Sequence, residues 1–173
     1  MNIPNIITAL RLLLIPFMAS YLFKEQYGIA AGLFLLGGFT DILDGYIARK
    51  FNLITSFGKV ADPIADKLMQ ITALVLLTMQ QKVPSVILII VVAKEVFMIA
   101  GGILLYRKEK FVVSANWYGK LATVVFYLAI ILSMFDAPFS NSLVILAVLI
   151  TLFAFFMYSM EYRNIRLEGK NKA

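Results

Sequence analysis

The stretch DILDGYIARKFNLITSFGKVADPIAD, running from Asp41 to Asp66, sets four aspartates within 26 consecutive residues of a strongly apolar chain. Asp41, Asp44, Asp62 and Asp66 are four of only ten acidic residues among 173. The chain is 61% hydrophobic and 15% charged, with a mean hydropathy of +0.87. Soluble domains lie nearer 45–50% apolar and about 25% charged, so this composition is that of an integral membrane protein. A charged side chain near the bilayer centre costs roughly 2.5–3.5 kcal/mol on insertion scales, so four carboxylates close together need compensation. Divalent cations compensate clustered carboxylates most directly, because their charge removes the mutual repulsion.

Outward from this stretch, apolar runs of about 20 residues, the length that spans a bilayer at 1.5 Å per residue, recur along the chain. They are Asn5–Phe23, Ile29–Arg49, Gly58–Met79, Val83–Tyr106, Tyr118–Phe135 and Ser142–Tyr162. Short connections separate them, punctuated by Gly28, Pro84, Pro138 and Asn141. The expected fold is therefore all-α: a polytopic bundle of six transmembrane helices. Met1–Pro4 carries no basic region and no cleavage pattern follows the first run, so that run is expected to stay in the mature protein. Residues Arg163–Ala173 read as a basic, frayed tail.

Lysine and arginine set the expected orientation. With the N-terminus cytoplasmic, eleven of the sixteen basic residues fall inside: Arg49, Lys50, Lys59, Arg107, Lys108, Lys110, Lys120, Arg163, Arg166, Lys170 and Lys172. Lys24 and Lys82 fall outside, and Arg11, Lys67 and Lys94 lie within spans. That asymmetry places both termini in the cytoplasm. The net charge of +6 then reflects this bias and affinity for anionic headgroups, and not nucleic-acid binding, since the basic residues flank spans. The same topology puts all four aspartates near the cytoplasmic surface of a cell membrane. The second and third helices are neighbours there, because Lys50–Phe57 is short.

On the second helix, Asp41, Asp44, Gly45 and Ala48 share a face by their three- and four-residue spacings. On the third, Gly58, Asp62 and Asp66 do so at intervals of four. Opposed, these faces put four carboxylates around one cavity beside small residues that admit a close-lying ligand, with Arg49 and Lys59 at the rim. The chain has no cysteine, which removes disulfides, iron–sulfur clusters and thiol nucleophiles. It has no histidine, which removes a Ser-His-Asp triad, a haem ligand and ordinary zinc sites. Carboxylates alone suit magnesium, manganese or calcium. Two such ions held by shared aspartates would clamp a pyrophosphate, with one aspartate acting as general base on a hydroxyl. Three readings fit the residues to this point: metal-dependent catalysis, a divalent-cation transporter, and buried carboxylates paired with Arg49, Lys59 or Lys67.

Asp41-x-x-Asp44-Gly45-x-x-Ala48-Arg49, eight residues, then Gly58-x-x-x-Asp62-x-x-x-Asp66, is similar to the signature of the CDP-alcohol phosphotransferases. All eight positions match at every spacing. The resemblance implies one membrane domain over residues 1–173, a six-helix bundle that is often dimeric. It implies that Asp41, Asp44 and Asp62 bind a two-metal centre of magnesium or manganese. Asp66 would share in that ligation and deprotonate the acceptor, and Gly45, Ala48, Arg49 and Gly58 would line the CDP site, with Lys59 beside them. The acceptor hydroxyl would attack the β-phosphorus of a CDP-linked lipid and release CMP.

A narrower resemblance concerns Pro4-Asn5-Ile6-Ile7-Thr8-Ala9-Leu10-Arg11. It resembles the first helix of the phosphatidylglycerophosphate-forming branch of that family, and of the cardiolipin-forming branch that uses CDP-diacylglycerol. Asn5, Thr8 and Arg11 share a phase and would face the lipid phosphates; the bland alternative is a helix cap and a snorkelling arginine. The expected donor is CDP-diacylglycerol, and the expected acceptor glycerol 3-phosphate, with phosphatidylglycerol as the alternative. Lys94 and Glu95, a charged pair within the fourth helix, are acceptor candidates with Arg107 and Lys120. The glycerol 3-phosphate branch tends to carry Arg-Glu at Lys94-Glu95 and a further arginine where this chain has Gly102. Positive-inside charge is the plain reading of Arg107.

Overall fold

A computed structural model describes residues 3–51, 53, 55–109 and 117–171. Six helices and no strand occur among the described residues: α1 (Ile3–Phe23), α2 (Tyr27–Lys50), α3 (Ser56–Met79), α4 (Ser85–Glu109), α5 (Trp117–Met134) and α6 (Ser140–Asn171). Each apolar run has become a helix with ends within a few residues of those expected. The last is the exception. The segment expected to fray after Tyr162 continues α6 to Asn171, a correction consistent with its Glu, Arg, Leu and Lys content, all good helix formers.

Among the described residues, three helices are long and apolar enough to cross a membrane: Pro4–Phe23, Tyr27–Ala48 and Ser140–Met157. The apolar part of α5, Gly119–Met134, is shorter. In α3 the charges of Lys59, Asp62, Asp66 and Lys67 crowd into its first half, leaving the apolar run to its second. Outward faces are apolar: Leu13, Phe17, Phe39 and Ile42 are all exposed. That pattern suits lipid and not water, because a large exposed apolar surface on a soluble chain invites association.

The chain forms two compact units, residues 1–82 and 83–173. In the first, α1 packs on α2 and α3. Its core is Met18, Leu22, Ala30, Ala31, Phe34, Ala65, Met69, Ala73, Leu74 and Leu77. Gly37 of α2 is the close-approach point. A Cβ there would lie 2.2 Å from the Met69 sulfur, so only glycine lets that thioether lie against the α2 backbone. The end of α1 meets that of α3, where Gln80 Nε2 donates to the Leu22 carbonyl at 2.8 Å. The opposite end of the unit gathers the start of α1, the end of α2 and the start of α3, and the aspartates lie toward it.

In the second unit α6 packs on α5 and α4. Ala122, Phe126, Ala129 and Ile130 of α5 are buried, as are Val144, Ala147 and Val148 of α6. Val83, Ile87, Val91 and Glu95 are buried at four-residue intervals, the last three forming a stripe on α4.

The ends of α1, α3 and α5 share one device. After α3, Gln81 N–H donates to Thr78 and Lys82 N–H to Leu77, with Gln81 at φ 62°. Glu25 (φ 58°) after α1 and Asp136 (φ 50°) after α5 repeat the pattern. These are Schellman caps built on residues with side chains in a conformation that favours glycine.

Candidate active site

The carboxylates of α2 and α3 are brought together by α1, which the spacing of the aspartates alone does not reveal. Asn5, Thr8 and Arg11 recur at three-residue intervals and fall on one inward face. Arg11 is wholly buried, without the rim position a snorkelling side chain would take. Its Nη1 donates to Asp41 Oδ1 at 2.7 Å, and its Nη2 donates to Asp44 Oδ2. Its Nε lies 3.5 Å from Thr40 Oγ1, whose own proton goes to the Gly37 carbonyl at 2.8 Å. One guanidinium thus spans two carboxylates on successive turns of α2, each bond charge-assisted. Asp44 is buried, whereas the Asp41 side chain is 40% exposed, so Asp41 marks the open side.

Thr8, also buried, reaches α3. Its Oγ1 is within bonding distance of an Asp62 carboxylate oxygen and, at 3.1 Å, of the Pro4 carbonyl; its single proton serves one at a time. Asn5 Oδ1 accepts from Thr55 Oγ1 at 2.8 Å. Thr55 is the N-cap of α3 and accepts the Gly58 N–H at 2.9 Å. The bland expectation that Asn5 caps its own helix gives way to this link between helices. A Cβ at Gly58 would stand 3.1 Å from Thr55 Oγ1, 3.3 Å from Asn5 Oδ1 and 3.5 Å from Asp62 Oδ2. Gly58 is therefore the floor of the polar cluster. Pro63, next to Asp62, lacks the N–H that would close on residue 59, leaving a polar carbonyl near the site.

Asp66, one turn beyond Asp62, accepts from Gln70 Nε2 at 2.8 Å, and Gln70 is buried. Asp62 and Asp66 lie within electrostatic reach of Asp41, and Asp62 and Asp41 within reach of Asp44. Gly45 and Ala48 are half-buried on α2 beyond Asp44. The side chains of Arg49, Lys59 and Arg107 lie outside the described residues, although their backbones continue α2, α3 and α4. In the second unit Lys94 Nζ pairs with Glu95 Oε1 at 2.5 Å, and Lys120 is exposed on α5.

Among the described residues, no three acidic side chains are gathered into a ready-made metal cage. The chemistry of the donor set nevertheless fits a hard dication: carboxylate oxygens from two helices, in reach of one another, without nitrogen or sulfur. Asp41 and Asp44 are turned onto Arg11, a cation of the chain itself. The partners foreseen for a purely structural pairing were Arg49, Lys59 or Lys67. Arg11, Thr40, Thr55 and Gln70 escaped that reading because each acts across helices or through a neighbour.

The CDP-alcohol phosphatidyltransferase family profile matches residues 1–157, the whole of the first compact unit and most of the second. Three relatives are each named CDP-diacylglycerol–glycerol-3-phosphate 3-phosphatidyltransferase. That of Aquifex aeolicus is 31% identical, over 93% of this chain and 96% of its own. That of Bacillus subtilis is 38% identical over 70% of each chain. That of Haemophilus influenzae is 37% identical over 75% of this chain and 73% of its own. The cation-transporter reading gives way to these likenesses. A membrane-type helical chain with eight signature positions on two facing helices, matched along most of its length, belongs to the CDP-alcohol phosphatidyltransferase family.

Proposed function

We propose that the protein transfers the phosphatidyl group of CDP-diacylglycerol to glycerol 3-phosphate, releasing CMP, in the synthesis of anionic phospholipid. The observation that carries this reading is the polar end of the first unit. There α1 ties Asp41 and Asp44 of α2 to Asp62 of α3 through Arg11 and Thr8. The names of the relatives support the choice of donor and acceptor.

In this reading Asp41, Asp44, Asp62 and Asp66 hold two magnesium or manganese ions, which supply neutralisation of charge on the diphosphate. Asp66 takes the proton of the acceptor hydroxyl, its carboxylate oriented by Gln70. The acceptor oxygen bonds to the β-phosphorus, the bond from that phosphorus to the bridging oxygen breaks, and CMP leaves with that oxygen and the electron pair. Gly45, Ala48 and Gly58, small at the points of approach, leave room for the nucleotide, and Arg49 and Lys59 are further candidates for binding it. Lys94 (paired with Glu95), Arg107 and Lys120 are the candidate residues for the acceptor.

The same reading makes the chain one domain of six transmembrane helices in the cytoplasmic membrane. Both termini and the site face the cytoplasm, and two copies form a dimer. The lysine and arginine asymmetry supports that orientation. Lys94 and Gly102, which depart from the glycerol 3-phosphate pattern, favour one second reading, phosphatidylglycerol as acceptor.

An acceptor panel tests the proposal. Purified protein with CDP-diacylglycerol and magnesium or manganese should release CMP when glycerol 3-phosphate is added. Release with phosphatidylglycerol alone would move the assignment to the second reading, and no release with any alcohol would refute both.

A further inference from the structure

Arg11 has a position that neither a substrate ligand nor a surface ion pair explains. It is wholly buried, its guanidinium spans Asp41 and Asp44, and Thr40 adds a third contact. Those carboxylates are the ones α2 contributes to the cation-binding set. A guanidinium and a divalent ion want the same oxygens, and both cannot hold them through the same lone pairs. Breaking a buried pair by removing the cation leaves uncompensated carboxylate charge, so the internal cation has a stabilising role until another replaces it.

We propose that Arg11 is a resident placeholder cation: it holds Asp41 and Asp44 in the metal-free protein and is exchanged off them when a divalent cation loads. The inference rests on the reading of Asp41 and Asp44 as metal ligands. Two consequences follow from the geometry. Metal affinity is lowered by the population of the Arg11-bound state, since the competent state is the one in which the carboxylates are released. Loading also frees a guanidinium on α1, beside Thr8 and Asn5. There it meets the anionic phosphates of the incoming nucleotide-lipid, so carboxylate clasp and phosphate ligand are successive states of one residue. Arg11 is in this sense a positioning residue for Asp41 and Asp44. The arrangement keeps a cation on Asp41 and Asp44 at every stage, the chain's or a metal's, which suits a site on membrane helices where unpaired charge is costly.

The test uses the full chain in detergent micelles without lipid substrate, with Mn2+ alone as the probe and free Mn2+ read by electron paramagnetic resonance. Arg11→Gln is expected to bind Mn2+ at least about tenfold more tightly than wild type, as when a competent state populated at 10% or less becomes the only one. It is also expected to melt lower without metal and to regain that loss with it. Arg11→Lys keeps the charge but loses the fork that reaches both carboxylates, and should fall between the two. A general field effect of one positive charge would leave Arg11→Lys at the wild-type affinity, and that result overturns the proposal, as does Arg11→Gln binding no more tightly.

Asp44→Asn separates the two levels. If it leaves Mn2+ affinity unchanged, the metal-ligand reading fails and this inference with it. If it weakens binding while the Arg11 variants gain nothing, only the exchange fails. Should the variants not fold, the wild type decides. Modification of Arg11 by phenylglyoxal, mapped by mass spectrometry, should accelerate when Mg2+ is added, and unchanged or stronger protection overturns the exchange.

Discussion

Thr8→Val isolates the bond that α1 makes to α3. Valine keeps the shape of threonine and removes only the hydroxyl, at a site that is 1% exposed. What is lost is donation to the Asp62 carboxylate, because the alternative acceptor, the Pro4 carbonyl, already lies within its own helix. Hydrogen bonds to charged groups contribute about 1.5–3 kcal/mol, and because Asp62 is only half-buried, water can reach the freed oxygen and the cost lies toward the lower half of that range. Removing a group that orients a metal ligand lowers metal affinity by about 10–100-fold. Thr8→Ser makes the opposite cut: it keeps the hydroxyl and loses a methyl, about 1 kcal/mol of burial. Thermal unfolding of the two variants in micelles, with a Mn2+ titration of each, measures both effects. Valine should lose the Mn2+ affinity that serine retains, although both lose stability. Equal Mn2+ affinities would refute the role given to Thr8 in orienting Asp62.

Three further outcomes follow from the same structure. Thr55→Ala removes the N-cap of α3 and its link to Asn5, and should lower stability by about 1–2 kcal/mol in thermal unfolding, without the glycerol 3-phosphate KM changing in proportion. Gln81→Gly relieves a left-handed residue in the cap after α3; the conformation costs about 1–2 kcal/mol and the added freedom of the unfolded chain returns part of it, so Tm should rise by a gain of up to about 1 kcal/mol. Asp66→Asn should abolish CMP release while CDP-diacylglycerol still binds, measured by equilibrium binding of labelled donor; near-normal turnover would remove Asp66 as the base.

The helices were legible in the sequence because each apolar run is long and turn residues punctuate several of the connections, and α1, α2 and α3 end where Phe23, Arg49 and Met79 indicated to within one residue. The eight signature positions were legible because their spacing is local to two helices. The role of α1 was not. Asn5, Thr8 and Arg11 advertise one inward face, but periodicity within a helix does not say which neighbour meets it. Arg11 was therefore expected at phosphate or at the membrane surface, and not on Asp41 and Asp44. Gln70 and Thr40 escaped for a related reason: each is an ordinary polar residue whose importance lies in the side chain it touches. The continuation of α6 past Tyr162 was hidden by the charge of its last turns, which reads as a tail although its residues favour helix.

In the proposed reaction the acceptor hydroxyl attacks the phosphatidyl phosphorus. Glycerol 3-phosphate carrying 18O in its primary hydroxyl tests it directly, with products read by mass spectrometry. 18O should appear in the phospholipid formed, at the new phosphodiester bond, and none in CMP. Label recovered in a cytidine nucleotide, with phosphatidic acid as the other product, would place the attack on the α-phosphorus and contradict it.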